Sequence, residues 1–315
     1  MARSVGVDIG GTNIVVALVD EQHTVIDRVK TKTPRKGPVS VVDAVVEVLG
    51  KLDGPSPTAV GVGAPGPVRD GVITSAPNLV GWREPVPLRD LLADALGLPV
   101  VVDNDANAGA FGEWTAGAGQ GARFLLGVWL GTGVGGGLIL EGRPFRGAFG
   151  GAGEFGHMIV HRGGALCGCG RRGCVEAYAG RAGLEGAAVT SFEAGRPTAM
   201  RDIQDALGKK RMTASVWARA LEVEDPLAVR LFNDAVDALG CGIASAINLL
   251  DLDTIVIGGG LADKLGDDFA ARVAEATRPR VLMASAERRF LTAALGGDAG
   301  VVGAAALARA ASEQA

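Results

Sequence analysis

Cysteine and histidine are scarce in this chain, four and three residues among 315. With so few cysteines a disulfide-stapled scaffold is excluded, and a chain this long buries enough core to fold without staples. No run of about 18 uncharged apolar residues is present, so no membrane-spanning helix is expected. The opening MARSVGVDIGG enters a strand pattern without the apolar core of a signal peptide, which predicts a cytoplasmic protein with no membrane partner. A basic excess is also missing. Lys and Arg number 31 against 35 Asp and Glu, a net charge of −4, and nucleic acid is not an expected partner. Glycine is abundant instead: 49 residues without a collagen period, expected in turns and loops.

The scarce residues are concentrated. Gly156 to Glu176, GHMIVHRGGALCGCGRRGCVE, holds three of the four cysteines and two of the three histidines. Neighbouring pairs among Cys167, Cys169 and Cys174 would close strained disulfide loops, and CGCGRRGC is not the C-x-x-C of a thioredoxin-like redox unit. Three thiolates and one imidazole match a closed tetrahedral Zn²⁺ site, with His157 and His161 as candidate fourth ligands. Three buried free thiols are the alternative. Cys241 lies within a helical pattern and is expected in the core.

Two glycine turns repeat. SVGVDIGGTNIVVALVD reads as strand, polar glycine turn, strand, and LLGVWLGTGVGGGLILEG places Gly127, Gly131 and Thr132 at one constant offset from Gly6, Gly10 and Gly11. Backbone amides of such turns can cradle phosphate oxygens, with Thr12 and Thr132 as hydroxyl donors. Asp8, beside the first turn, is a candidate Mg²⁺ ligand. A third run, LDTIVIGGGLADKLGDDF, reads as buried strand, glycine turn and helix start, and offers Gly258 and Gly259 as a wall for an adenosine. It lacks the G-x-G-x-x-G spacing of a dinucleotide fingerprint.

Elsewhere the pattern alternates strand and helix, an α/β chain with a long helix over residues 226–250. LPVVVDNDANAGAFGEW runs a buried strand into Asp103-Asn104-Asp105 at a helix start. Ligands bind at such strand ends in open α/β sheets. Two roles stand open for Asp105: it or a neighbour caps the helix, or it acts as general base toward a substrate hydroxyl. Glu154, His157 and Glu176 flank the cysteines and are candidates to hydrogen-bond a polyol; His157 can coordinate through one ring nitrogen and donate from the other.

DIGGTN, APGPV, DNDANA, LGTGVGGGLILEGRPFRGAFGGAGEFGH, CGCGRRGCVEAYAG and the later IVIGGG together resemble the ROK family of sugar kinases and repressors, and within it the bacterial glucokinases. That resemblance implies an actin-like, hexokinase-type (ribonuclease H-like) fold of two α/β lobes around a cleft. The implied domains are 1–108 as a small lobe, with a C-terminal helix at about 301–315 packing back on it, and 109–300 as a large lobe with a zinc loop at 157–174. It implies phosphorylation of glucose at its 6-hydroxyl with ATP and Mg²⁺. Asp105 becomes the catalytic base; Asn104, Asp105, Glu154, His157 and Glu176 become hexose ligands; Gly10, Gly11, Thr12, Thr132 and Gly133 become phosphate turns. His157, Cys167, Cys169 and Cys174 become a structural Zn²⁺ site, leaving His161 aside. Position 13 departs from the pattern, carrying Asn where many related glucokinases have Lys. N-acetylhexosamine kinase, fructokinase and polyphosphate-dependent kinase are alternatives within the family, a non-catalytic sugar sensor is a more distant one, and SAPNLVGW favours glucose. Family regulators carry an N-terminal helix-turn-helix, for which the early first strand leaves no room. A homodimer or homotetramer is expected by the same resemblance.

Overall fold

A computed structural model describes residues 3–313. Its strands are β1 (Ser4–Ile9), β2 (Asn13–Val19), β3 (Val25–Lys32), β4 (Ala59–Ala64), the short pair β5 (Val68–Arg69) and β6 (Val72–Ile73), β7 (Val100–Asn104), β8 (Phe124–Leu130), β9 (Val134–Leu140), β10 (Arg143–Pro144), β11 (Thr254–Gly258) and β12 (Arg289–Thr292). Its helices are α1 (Pro38–Leu49), α2 (Leu88–Leu96), α3 (Asp105–Ala116), α4 (Val175–Ala179), α5 (Arg181–Glu193), α6 (Met200–Ala206), α7 (Ala214–Glu222), α8 (Pro226–Leu250), α9 (Gly260–Leu265), α10 (Asp267–Thr277) and α11 (Ala299–Ser312).

Two five-stranded sheets share one design. Their orders are β3-β2-β1-β4-β7 and β10-β9-β8-β11-β12. In each, two parallel strands follow the inner hairpin strand: β1–β4–β7 in one and β8–β11–β12 in the other. The repeat read from the glycine turns is therefore a repeat of whole sheets.

The chain forms two compact units. One comprises residues up to Ala122, Gly137–Gly153 and the chain from Ala294; the other comprises Arg123–Gly136 and Glu154–Ala293. The expected boundary at 108/109 would cut α3, which is one continuous helix. The helix runs on because Ala106 to Glu113 are all buried, so its whole first two turns belong to one core.

In the first unit α11 lies directly on backbone. A Cβ added at Gly6 of β1 would come 1.8 Å from the Val301 carbonyl oxygen, one at Gly61 of β4 would come 1.7 Å from that of Ala304, and one at Gly303 would come 1.7 Å from that of Ala108 in α3. Many of the abundant glycines thus occupy strands and helices, contrary to the expectation of turns and loops, because close approach here requires a residue without a side chain. Alanines complete the helix face: Ala304, Ala305, Ala306 and Ala308 are all buried. The Arg309 guanidinium ties the far end of α11 to the Asp20 and Glu21 carbonyls of the β2–β3 turn, at 2.5 and 2.9 Å.

The second unit centres on α8, whose apolar stripe Phe232, Val236, Leu239, Ile243 and Ile247 is buried, while Val229, Cys241 and Leu250 are half-buried. Asp225 caps its first turn, accepting from the Ala228 amide at 2.9 Å. No helix among the described residues is long and apolar enough to cross a membrane.

Because the carbonyl opposite Gly61 is fixed in a helix, Gly61→Ala should destabilise the first unit by about 3 kcal/mol. Gly186→Ala, in exposed α5 with open space around it, should stabilise by roughly 0.5–1 kcal/mol. Urea denaturation of both variants separates the two effects; equal midpoints would contradict the close packing of α11.

Candidate active site

At the open ends of the parallel strands in the first unit, Asp8 of β1, Gly63 of β4 and Asp103 of β7 stand in register. Gly63 matters because the α3 start rests on it: a Cβ there would lie 3.4 Å from the Asp105 Cα. Asp103 is buried and fully engaged. Its Oδ1 accepts from the Asn104 amide and from Asn107 Nδ2, at 2.8 and 2.9 Å, and its Oδ2 accepts from Arg146 Nε and Nη2, at 2.7 and 2.6 Å. This carboxylate holds the strand–helix junction and the segment around Arg146 in one arrangement.

Asn104 takes the capping role. Its Oδ1 accepts from the Ala106 and Asn107 amides at 2.9 and 3.3 Å, and its Nδ2 donates to the Gly66 carbonyl at 3.2 Å. Asp105 then falls in the first turn of α3, its Oδ1 also 2.8 Å from the Ala106 amide. Burial, and second the nearby charge of Asp105, push the Asp8 carboxyl up to about 6. Two carboxylates that repel one another at a strand end suit a hard divalent cation.

The first glycine turn is closed by the Gly10 amide donating to the Asn13 carbonyl at 2.9 Å, with the Thr33 hydroxyl on the Gly10 carbonyl at 2.6 Å. Gly11 and Thr12 face solvent. Asn13 begins β2 and is half-buried.

In the second unit the equivalent turn is Gly131-Thr132-Gly133, its Gly131 amide donating to the Gly133 carbonyl at 3.0 Å. It sits on the start of α5, where the Arg181 and Ala182 amides donate to the Gly131 and Thr132 carbonyls at 3.2 and 3.0 Å. A cavity of about 340 Å³ adjoins it, walled by Leu130, Leu184, Trp217 and Leu261 and reached by Arg181 and Gly260. Gly260 and Leu261 form the glycine wall; Gly258 and Gly259 stand behind it, where a Cβ would meet Trp129 at 2.5 Å or the Leu130 carbonyl at 2.9 Å. Sequence reasoning missed Arg181, Thr213 and Trp217 on this cavity, since α5, α7 and the residue that precedes α7 give no motif of their own.

The cysteine segment folds into a four-donor cluster. One donor atom each from His157, Cys167, Cys169 and Cys174 lies within 4.8 Å of the others. The Cys169 and Cys174 sulfurs are 3.8 Å apart, and the Cys167 sulfur is 3.9 Å from His157 Nδ1. A tetrahedron with bonds of about 2.3 Å has edges of about 3.8 Å, so the spacing fits one ion of zinc's size. Gly173, at φ 83°, makes the turn possible; a Cβ there would lie 1.8 Å from the His161 carbonyl oxygen. His161 is outside the cluster and stacks on Tyr178. The Arg171 guanidinium, donating to the Cys169 sulfur, brings that thiol down to about 6, whereas burial pushes Cys167 up to about 12.

His157 has two faces: Nδ1 toward the sulfurs and Nε2 toward Glu154, whose Oε2 is 4.0 Å away. Glu176 spans the cluster and the turn. Its Oε1 receives the Cys167 thiol at 3.4 Å, its Oε2 accepts from the Val134 amide at 3.0 Å, and a Cβ on Gly133 would collide with it at 2.1 Å.

The raised Asp8 value has a definite sign in stability. An aspartate whose folded-state pKa exceeds its ordinary 3.8 binds its proton more tightly when folded, so ionising it costs stability as pH rises through about 6. Asp8→Asn should therefore be more stable than the parent by roughly 2–3 kcal/mol at pH 8, with the difference vanishing near pH 4. Urea denaturation at the two pH values tests this, and a constant difference would refute it.

Comparison with known proteins finds relatives along the whole chain. The glucokinase of Streptomyces coelicolor is 37% identical over 324 residues, 98% of each chain. A crystal structure of a ROK family glucokinase from Streptomyces griseus in complex with glucose and AMPPNP superposes with a TM-score of 0.81 at 36% identity, covering 98% of this chain and 100% of that one. The ROK hexokinase from Thermus thermophilus gives 0.83 at 34% identity, covering 99% and 100%. The fold is the actin-like, hexokinase-type α/β fold those neighbours share, expressed here as two sheets of one strand order. Since the model of the ROK family also matches residues 4–311, this chain belongs to the ROK family.

Proposed function

We propose that this chain transfers the γ-phosphoryl group of ATP to the 6-hydroxyl of glucose. The observation that carries the reading is the pair Asp8 and Asp105 at the strand ends of the first sheet, with Asn104 taking the cap that Asp105 would otherwise supply. The likeness to proteins named glucokinase, one of them solved with glucose and AMPPNP, supports the substrate.

Asp105 is the general base. It accepts the proton of the 6-hydroxyl as that oxygen attacks phosphorus, and Asp103 keeps the junction in place through the Asn104 amide and the Asn107 side chain. Asn104, Glu154, His157 and Glu176 are the hexose ligands. Asn104 retains one amide hydrogen beyond its bond to Gly66, and His157 has Nε2 directed away from the sulfurs. Gly10, Gly11, Thr12, Thr132 and Gly133 supply donors to phosphate oxygens, and the cavity beside Gly260 takes the adenosine, with Gly258 and Gly259 as its backing. Asp8 holds the Mg²⁺ that accompanies ATP, an ion that neutralises charge on the transferring group.

His157, Cys167, Cys169 and Cys174 hold a structural Zn²⁺. Three thiolates and an imidazole saturate it, so it is a brace for residues 157–174. Glu154 and Glu176 lie on the chain next to that brace, and Glu176 is oriented by the Val134 amide on its Oε2.

Asp105→Ala should keep glucose affinity within a few-fold while kcat falls by about 10²–10⁴. Isothermal titration and coupled ADP release read the two quantities, and an undiminished kcat would remove the base. Cys169→Ser should reduce both zinc per chain and melting temperature; full metal content with full stability would refute the brace. The reading as a whole is tested by ADP release with MgATP against glucose, mannose, fructose, N-acetylglucosamine and N-acetylmannosamine. Preference for an acetamido sugar would overturn glucose and leave the kinase; no turnover with any sugar would overturn the kinase.

A further inference from the structure

The cavity beside the second glycine turn is mostly apolar, and Arg181 is the one charged side chain among the residues lining it. Its Nη2 donates to the Thr132 hydroxyl at 2.6 Å. Its Nε is buried without a hydrogen-bond partner, and no carboxylate pairs with it among the described residues. The half-buried guanidinium thus has a buried N–H with no acceptor, which an anion entering the cavity would satisfy.

Two further features sharpen this. The first two amides of α5 are already spent on the Gly131 and Thr132 carbonyls, so the helix start has fewer amides to offer an anion and the side chain must provide the charge. The Thr132 oxygen accepts from Arg181, which leaves its own hydrogen to be donated to another acceptor. Donor hydroxyl and planar fork stand side by side at one end of an apolar cavity, a match for a nucleotide whose base is apolar-faced and whose tail is anionic.

We infer that Arg181 is a nucleotide-binding residue, contacting the diphosphate portion that ADP and ATP share and keeping the Thr132 hydroxyl aimed at the same oxygens. This rests on the kinase reading above and adds to it a residue outside the two glycine turns. It separates two jobs within the second unit: Trp217, Leu184 and Leu261 enclose the base, and Arg181 reads the tail.

The test is titration of MgADP and of adenosine into the full-length protein, as parent, Arg181→Lys and Arg181→Gln, each checked for an unchanged melting temperature. Arg181→Gln should weaken MgADP at least 10-fold and leave adenosine within 2-fold; Arg181→Lys, which keeps the charge but loses the fork, should fall between. In turnover, the KM for ATP should rise while the KM for glucose stays put. MgADP binding unchanged in both variants would overturn the inference, as would parallel weakening of MgADP and adenosine, which would make Arg181 a clip for the turn. Failure of the parent protein to bind either compound would instead overturn the kinase reading, and this inference with it.

Discussion

The first unit depends on a helix brought to backbone distance from a sheet. Ordinary helix–sheet layers keep side chains between them, but here Gly6, Gly61 and Gly303 leave carbonyls where Cβ atoms would stand. Such packing trades apolar volume for proximity. Its consequence is positional: α11 locks β1, β4 and α3 together, the three elements that carry or support Asp8 and Asp105. Gly300, in the first turn of α11, would bring a Cβ to 3.3 Å from the Asp8 carboxylate, so the same helix also forms one wall around that group.

The duplicated sheet has diverged in chemistry while keeping its topology. Asp8 in β1 has Trp129 as its counterpart in β8, at the same offset that relates the glycine turns. The carboxylate of one copy is thus a packing residue in the other, where Trp129 sits against Gly258. Divergence also touched the turns, Gly10-Gly11-Thr12 against Gly131-Thr132-Gly133. One copy carries a carboxylate at its strand end, and the second carries a largely apolar cavity with one charged side chain, Arg181, in its lining.

Much of this was legible from the residues. The glycine turns, the strand running into DND and the cysteine spacing are local signals, fixed by what short segments of backbone can do. The choice of Asn104 over Asp105 as cap was not readable, because both residue types cap well and only the continuation of β7 through Asn104 decides between them. Arg146, which meets Asp103 across more than 40 positions of sequence, carried no local sign. Nor did Arg181, which becomes a cavity residue only because the Thr132 turn rests on α5. The glycines of β1, β4 and α11 were visible as glycines, but their reason is a contact between distant segments.

That contact has a consequence for how the protein is made. The first unit is assembled from three separate stretches of chain, and the helix that covers Gly6 and Gly61 is synthesised after the entire second unit. Until α11 emerges from the ribosome, β1 and β4 present a glycine-floored, uncovered face that cannot fill itself with side chains. Domains generally complete themselves in order of synthesis. Here that order is inverted: the residues of Arg123–Gly136 and Glu154–Ala293 are all available to fold before the unit that begins the chain can close.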